Sequence, residues 1–400
     1  MSVTVEIPTH TRPFRRGAVL KEVLPVKPRY ITRLDQVEHL EQRLTVEERK
    51  CLERVEDTFP FRSNDYYLSL INWEDPHDPI RKIVIPDPRE LERIGSLDPS
   101  SEKKYTVIPG LQHKYPQTAL LLVSDECGGI CRFCFRKRLF LETDPEVAAD
   151  IPRCMEYIRT HAEITNVLLT GGDPLALSTK KLERIVRELR EIPHVQIIRI
   201  GSKMPAYNPH RILNDPLLLQ MIKRYSSENK RIYIMAHFNH PNELTQAAVQ
   251  ALDELQRAGA IVVNQTPLIQ GVNHSPFVLS ELFRTLSFVG VSPYYVFQCR
   301  PTVGNRFFTI PVERSYQIVH HAFARCSGLA KRARYIMSHN SGKVEIVGTT
   351  PEYVFMKYHQ AAQPENAGNF IAFNRNPNAT WLDDYLHHVI DNIPRKDWVF

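Results

Sequence analysis

The sequence predicts an α/β protein: a partial (β/α)6 barrel with a helical extension before it and an arm after it. Three observations carry this reading. Short apolar runs recur six times between residues 119 and 298. Helix-length amphipathic stretches separate them, which is the pattern of repeated β-α units. Residues able to do chemistry sit just after the runs, where such folds gather function.

Taken in order, residues 1–115 read as a mostly helical, proline-punctuated region. Leu34, Val37, Leu40 and Leu44 recur at helical spacing. Thr45-Val46-Glu47-Glu48 forms a capping box that opens the next helix. Ser63 is placed to cap a short helix carrying Tyr66, Tyr67 and Leu70. The six runs follow at Ala119–Val123, Asn166–Thr170, Val195–Ile200, Arg231–Ala236, Ala260–Asn264 and Pro293–Gln298. They are nearly continuous in apolar residues, as strands buried on both faces are. Helices are expected near 146–160, 178–190, 214–226, 243–258 and 276–289. On pattern alone an open doubly wound sheet is the alternative. Cys127, Gly171, His237, Gln265 and Arg300 each follow a run. Two further strands are expected at 333–338 and 343–347. The expected division is therefore 1–115, 116–347 and 348–400. The last part, ending Asp397-Trp398-Val399-Phe400, reads as a packing or oligomerisation arm.

Bulk properties narrow the class. At 400 residues and 42% hydrophobic, the chain can bury a large core. It has no apolar run near 18 residues, so no membrane span is expected. Met1-Ser2-Val3-Thr4-Val5-Glu6 lacks a signal-peptide core. Seven irregularly spaced cysteines argue against a disulfide framework and for a reducing, cytoplasmic setting. The net charge of +6 suits anionic ligands but is too dilute to indicate nucleic acid.

The cysteines carry the most information. Cys127, Cys131 and Cys134 are spaced C-x3-C-x2-C, and Cys51, Cys154, Cys299 and Cys326 are scattered. Three thiolates can hold three irons of a [4Fe–4S] cube, leaving the fourth iron open to another ligand. A zinc site would want paired cysteine modules or a histidine pair, and neither is present.

With its surroundings, this spacing resembles radical S-adenosylmethionine enzymes of the lysine 2,3-aminomutase family. The matching pieces are the run Cys127 to Arg138, Leu169-Thr170-Gly171-Gly172-Asp173-Pro174-Leu175, His237-Phe238-Asn239-His240-Pro241-Asn242-Glu243, and Asn264-Gln265 through Gly271-Val272-Asn273. The resemblance implies a partial radical-SAM barrel with a [4Fe–4S] cluster on the three cysteines, S-adenosylmethionine, pyridoxal 5′-phosphate, and a reductant such as flavodoxin or ferredoxin. A homo-oligomer is expected. Gly171, Gly172 and Asp173 resemble the segment that binds the methionine amino group, and His237 and Gln265 line the same mouth. Phe133 stands where an aromatic often lies near the adenine. Lys343, after the Ser341-Gly342 turn, matches the lysine that forms a Schiff base with pyridoxal phosphate. Arg136 matches the arginine that grips the substrate α-carboxylate.

This chain also departs from the family. Thr118 stands where an arginine often binds the cofactor phosphate, and Lys203 and Arg211 are candidate substitutes. Arg300 follows Gln298-Cys299, where lysine-acting members have an aspartate. A second family aspartate has no counterpart in Ser338-His339-Asn340. No cysteine follows Cys326, so the family's C-terminal zinc site is not expected. One cation and no acid would repel lysine's ammonium and suit a carboxylate side chain. The pattern resembles glutamate 2,3-aminomutase: an acidic amino acid, with L-glutamate foremost, would move its amino group from C2 to C3. Two rivals stand beside this reading. One is a relative with a changed reaction or a modified or protein-bound substrate. The other is a non-catalytic iron–sulfur sensor or nucleic-acid-binding protein.

Overall fold

The computed structural model describes residues 27–41, 43–141, 146–385 and 388–390. Each apolar run becomes a strand, and the strands lie side by side in chain order. A two-residue ladder joins β1 (Tyr30–Ile31) to β2 (Ser63–Asn64). One 13-stranded sheet holds β3 (Thr106–Ile108), β4 (Leu111–Tyr115), β5 (Thr118–Ser124), β6 (Asn166–Gly171), β7 (Ile197–Ser202), β8 (Ile232–Ala236), β9 (Ile261–Leu268), β10 (Ser292–Gln298), β11 (Arg334–His339), β12 (Gly342–Thr349), β13 (Tyr353–Ala361), β14 (Phe370–Asn374) and β15 (His388–Ile390).

From β5 to β11 every neighbouring pair is parallel. β3–β5 and β11–β15 pair antiparallel on either side. The strict order excludes the doubly wound alternative, which reverses direction at a switch point. Helices Ile151–Thr160, Thr179–Arg190, Pro216–Tyr225, Gln246–Arg257, Pro276–Phe288 and Val312–Phe323 make the crossovers. The last of these, and the parallel pairing of β11, extend the expected repeat by one unit. Local chemistry sets the helix starts. Asp150, Ser178, Asp215 and Thr245 each accept a backbone N–H of the first turn, worth about 1 kcal/mol apiece.

Leu121, Val167, Leu169, Ile198, Ile200, Ile232 and Ile234 are fully buried between sheet and helices. Each contributes roughly 1.5–3 kcal/mol. A second core under β10–β14 is built on Phe283, Val319, Met337, Val344 and Trp381.

The N-terminal region differs from expectation in detail. The spacing Leu34 to Leu44 yields a 3-10 turn and a single helical turn, Glu38–Glu41. The Thr45 capping box forms and opens helix Val46–Thr58. The next cap is Asn64 rather than Ser63: both pair with β1, but it is the Asn64 side chain that accepts the Tyr67 N–H of the first turn. That helix ends at Leu68, short of Leu70. The position 115/116 falls in the β4–β5 hairpin and 347/348 falls inside β12, so the sheet runs through both. Residues 353–374, expected as an arm, supply β13 and β14. Met1–Glu6 and Asp397–Phe400 lie outside the described residues.

Curvature brings the two flanks of the sheet together. Ser100 Oγ donates to the Ser338 carbonyl at 2.8 Å, Lys114 Nζ to that of His339 at 2.7 Å, and Tyr105 Oη to that of Asn340 at 2.8 Å. Side-chain bonds, with no backbone ladder among the described residues, bridge this seam.

Candidate active site

One cavity of about 420 Å³ opens inside the curved sheet. Of the site residues singled out from the sequence, Cys127, Cys131, Cys134, Arg136, Gly171, Gly172, Asp173, His237, Gln265, Arg300 and Lys343 line it.

The cysteine loop leaves β5 and is fixed from outside by the N-terminal region. Ile130 N–H donates to the Arg62 carbonyl and Arg132 N–H to that of Ile83, both at 2.9 Å. The Asn64 amide donates to the carbonyls of Gly128 and Tyr207. Beneath the loop, buried Glu90 takes both Arg132 Nε and Nη2 at 2.9 Å and Lys137 Nζ at 3.2 Å. The three thiols are half-buried, and Tyr207 Oη donates to Cys131 Sγ at 3.4 Å. Burial pushes all three thiols up, Cys131 to about 12. They do not converge as a single ion's ligands would. A cube places its irons at separate corners and asks for less convergence.

β6 ends against this loop. Gly171 has φ +119°, and a Cβ there would strike the Ser124 carbonyl; one on Gly172 would strike that of Glu126. Asp173 accepts from Ser202 Oγ and from the N–H groups of Leu175, Lys203 and Met204. His237 follows β8 and meets Phe133 edge-on at 6.1 Å. Burial, with Lys203 nearby, holds its ring well below the usual histidine range and therefore neutral. Gln265 lies within β9, which runs four residues beyond the expected end at Asn264.

A cluster of arginines makes the next wall. Arg136-Lys137-Arg138 is not a solvated run; all three are buried. Glu102, missed from the sequence, accepts from Arg136 Nε and Nη2 at 3.0 and 2.9 Å and from Arg138 Nη2 at 2.5 Å. Arg136 Nη1 donates to Thr170 Oγ1 at 2.9 Å, so one hydrogen remains on each of Nη1 and Nη2. Burial opposes charge on Glu102, but Arg136, with Arg300 and Arg138, outweighs it and holds the carboxyl far below its ordinary range. Arg300 stacks 3.6 Å over Phe135 and stands 3.9 Å from Glu102. Its Nη1 is buried without a hydrogen-bond partner. Burial pulls its pKa down to about 10.

Lys343 occupies the opposite end, on β12. Gly342 is required before it, because a Cβ there would meet the Gln360 carbonyl on β13. Lys343 Nζ donates to Gln360 Oε1 at 2.9 Å and faces the rings of Tyr115 and Tyr295 at 5.1 and 5.6 Å. Burial first, then Arg199, Lys114 and Arg300, lower its pKa to about 7. Lys114 and Arg199, also missed, line this end with Thr118. The candidate substitutes for a phosphate-binding arginine do not fit. Arg211 lies outside the lining and pairs with Asp215 at 2.6 Å. Lys203 Nζ is taken by Glu243, Asn239 and the His237 carbonyl.

No protein-family model matches the chain. Individual relatives do. The chain is 54% identical over 366 residues to a protein of Aquifex aeolicus named "Putative L-lysine 2,3-aminomutase", covering 91% of this chain and 97% of that one. It is 37% identical to the L-lysine 2,3-aminomutase of Acetoanaerobium sticklandii, covering 89% and 84%. The chain belongs to the lysine 2,3-aminomutase family. A glutamate 2,3-aminomutase of Clostridioides difficile is also related, at 36% identity over 72% of this chain and 67% of that one. The protein is accordingly a radical S-adenosylmethionine aminomutase, an isomerase that takes an amino acid as a small-molecule substrate and needs a reductant. The family's cofactors are a [4Fe–4S] cluster, S-adenosylmethionine and pyridoxal phosphate. The donor set fits them, with three thiols on one loop and a half-buried lysine flanked by cations without carboxylates. No helix among the described residues is long and apolar enough to cross a membrane.

Proposed function

We propose that this aminomutase acts on an acidic α-amino acid, L-glutamate foremost, and yields the β-amino acid. The observation that carries this is Arg300 Nη1, buried at the cavity wall without a hydrogen bond and 3.9 Å from Glu102, a carboxylate already bonded to Arg136 and Arg138. Both carboxylates that line the cavity are engaged, Glu102 by guanidinium groups and Asp173 by four donors. A lysine ammonium would therefore meet cations and no free acid. A substrate carboxylate would give Arg300 the partner that burial makes costly to lack.

The roles follow from placement. Cys127, Cys131 and Cys134 hold the cluster. Gly171, Gly172, Asp173, His237 and Gln265 shape the S-adenosylmethionine site. When bound, these groups supply a hydrogen-abstracting radical, while pyridoxal phosphate carries the migrating nitrogen. Lys343 offers a neutral amine near pH 7, the form able to attack a carbonyl. Arg136 turns its remaining hydrogens to the α-carboxylate, fixed in place by Glu102 and Thr170. Phe135, packed under Arg136 and Arg300, excludes water from both ion pairs. All seven cysteines are unpaired, as a reducing compartment such as the cytoplasm would leave them; the proposed reductant is a flavodoxin or ferredoxin.

The test is an anaerobic panel of amino acids with reconstituted protein, read by mass spectrometry and NMR for β-amino products. Glutamate is expected to turn over well ahead of lysine; a preference for lysine overturns the reading. Borohydride reduction of the loaded protein should mark Lys343, and a mark on another lysine overturns that assignment.

A further inference from the structure

Three cations share the Lys343 end of the cavity, and among the described residues none of them has a carboxylate within 4.0 Å. Lys114 Nζ donates to a backbone carbonyl and faces the rings of Tyr105 and Tyr115. Lys343 donates to an amide. Arg199 Nε donates to the Asn166 side chain at 2.8 Å, and among the described residues no bond occupies its two terminal nitrogens. Burial works against the charge of all three. Elsewhere around the cavity the protein places acids against its buried cations, as in Arg132–Glu90, Arg136–Glu102 and Lys203–Glu243. A pocket of cations left without acids calls for an anion from outside, and a dianion fits best.

The sheet register says where that anion lies. Thr118 on β5 is paired with Asn166 on β6, and Leu168 on β6 with Arg199 on β7. Arg199 is thus two strands from Thr118. Its bond to Asn166 leans the side chain back across β6 toward Thr118. Both residues line the cavity.

We propose that Arg199, with Lys114, holds the phosphate of the pyridoxal cofactor, filling from β7 the place that Thr118 leaves without a cation on β5. This rests on the cofactor assignment above. Arg199 presents two terminal N–H groups to two phosphate oxygens, while Lys114 acts as a point charge. Asn166 is the positioning residue that holds the guanidinium.

The experiment titrates cluster-reconstituted, cofactor-free protein with pyridoxal 5′-phosphate and, separately, with pyridoxal, which lacks the phosphate. Dissociation constants are read from the absorbance of the captured compound. Wild type is expected to prefer the phosphorylated compound strongly, with inorganic phosphate competing. Arg199→Gln should cut that preference roughly 10- to 150-fold, the effect of removing one charged hydrogen-bonding partner. Loss of the Arg199 charge also acts on Lys343, but on both compounds alike, so it cancels in the preference; pyridoxal should still be captured, which shows that the site is folded. Thr118→Arg in the Arg199→Gln background should restore part of the preference. An unchanged preference in Arg199→Gln overturns the proposal and leaves the cofactor assignment standing. Wild-type protein that captures neither compound overturns the assignment and the proposal together.

Discussion

The two ends of the cavity treat positive charge in opposite ways. At the cluster end each buried cation of the cysteine loop is matched inside the protein. Glu90 serves Arg132 and Lys137, Glu102 serves Arg136, and Glu146 joins Glu102 at Arg138. Toward Lys343 the acids stop. Lys114, Arg199 and Lys343 have polar or aromatic neighbours, and Arg300 at the border is 3.9 Å from Glu102 with one nitrogen unbonded. Matched charge makes a scaffold that is finished before any ligand arrives. Unmatched charge raises the free energy of the empty protein and is released when an anion binds, so binding and specificity belong to that end.

The largest break in this comparison is at the cluster. Cys131→Ala should abolish both the iron content of the intact cube and cleavage of S-adenosylmethionine to 5′-deoxyadenosine. Cys51→Ala, Cys154→Ala and Cys326→Ala should retain both, as assayed anaerobically. Next is the scaffold. Glu90→Gln leaves Arg132 and Lys137 buried without a counter-charge, which costs about 3–5 kcal/mol. Arg199→Gln, which removes a cation lacking a counter-charge, should cost no more than about 1 kcal/mol. Denaturant midpoints at constant slope measure both, and equal losses would erase the distinction between the ends.

Arg300→Gln should lower turnover of glutamate by roughly 30- to 5,000-fold, from about 2–5 kcal/mol for a desolvated carboxylate left unpaired. Arg300→Asp should do worse by adding repulsion. Glutamate turnover indifferent to Arg300→Gln would sever Arg300 from the substrate. The smallest effect is in pH. With Lys343 lowered to about 7 by burial and its cationic neighbours, its neutral fraction rises with pH through that point and is nearly complete about one pH unit above it. Capture of pyridoxal phosphate by cofactor-free protein should quicken about tenfold from pH 6 to 8 and then level off. An ordinary lysine would keep gaining toward pH 10. The stability sign follows. Protons leave the folded amine first, so stability rises between about 7 and the ordinary lysine value.

Much of the barrel was legible because a buried parallel strand needs an apolar run and its crossover needs an amphipathic helix. The spacing of Val312, Tyr316, Val319 and Phe323 also carried the sixth crossover, though it was passed over. Pairing partners were harder. Ser63 and Asn64 are both good caps, and Asn64 is held in the role by its amide bonds to the distant Gly128 and Tyr207 carbonyls, which no local pattern announces. The cavity residues named from motifs all reached one place, since strand ends converge there. Arg199 had a visible signal: a lone charge between Ile198 and Ile200 in an otherwise apolar run. Glu102 had none, because its partner Arg136 is 34 residues away and no local pattern links them.

The seam of the sheet carries one more consequence. Lys114 and Tyr115 belong to β4, Lys343 to β12, and among the described residues only side chains bridge the two flanks there. A cofactor gripped by Lys114 on one side and joined to Lys343 on the other acts as a clasp on a split ring. Loading should then stiffen the whole hoop beyond what the Ser100, Tyr105 and Lys114 bonds already hold, slowing amide exchange in β4 and β12 together.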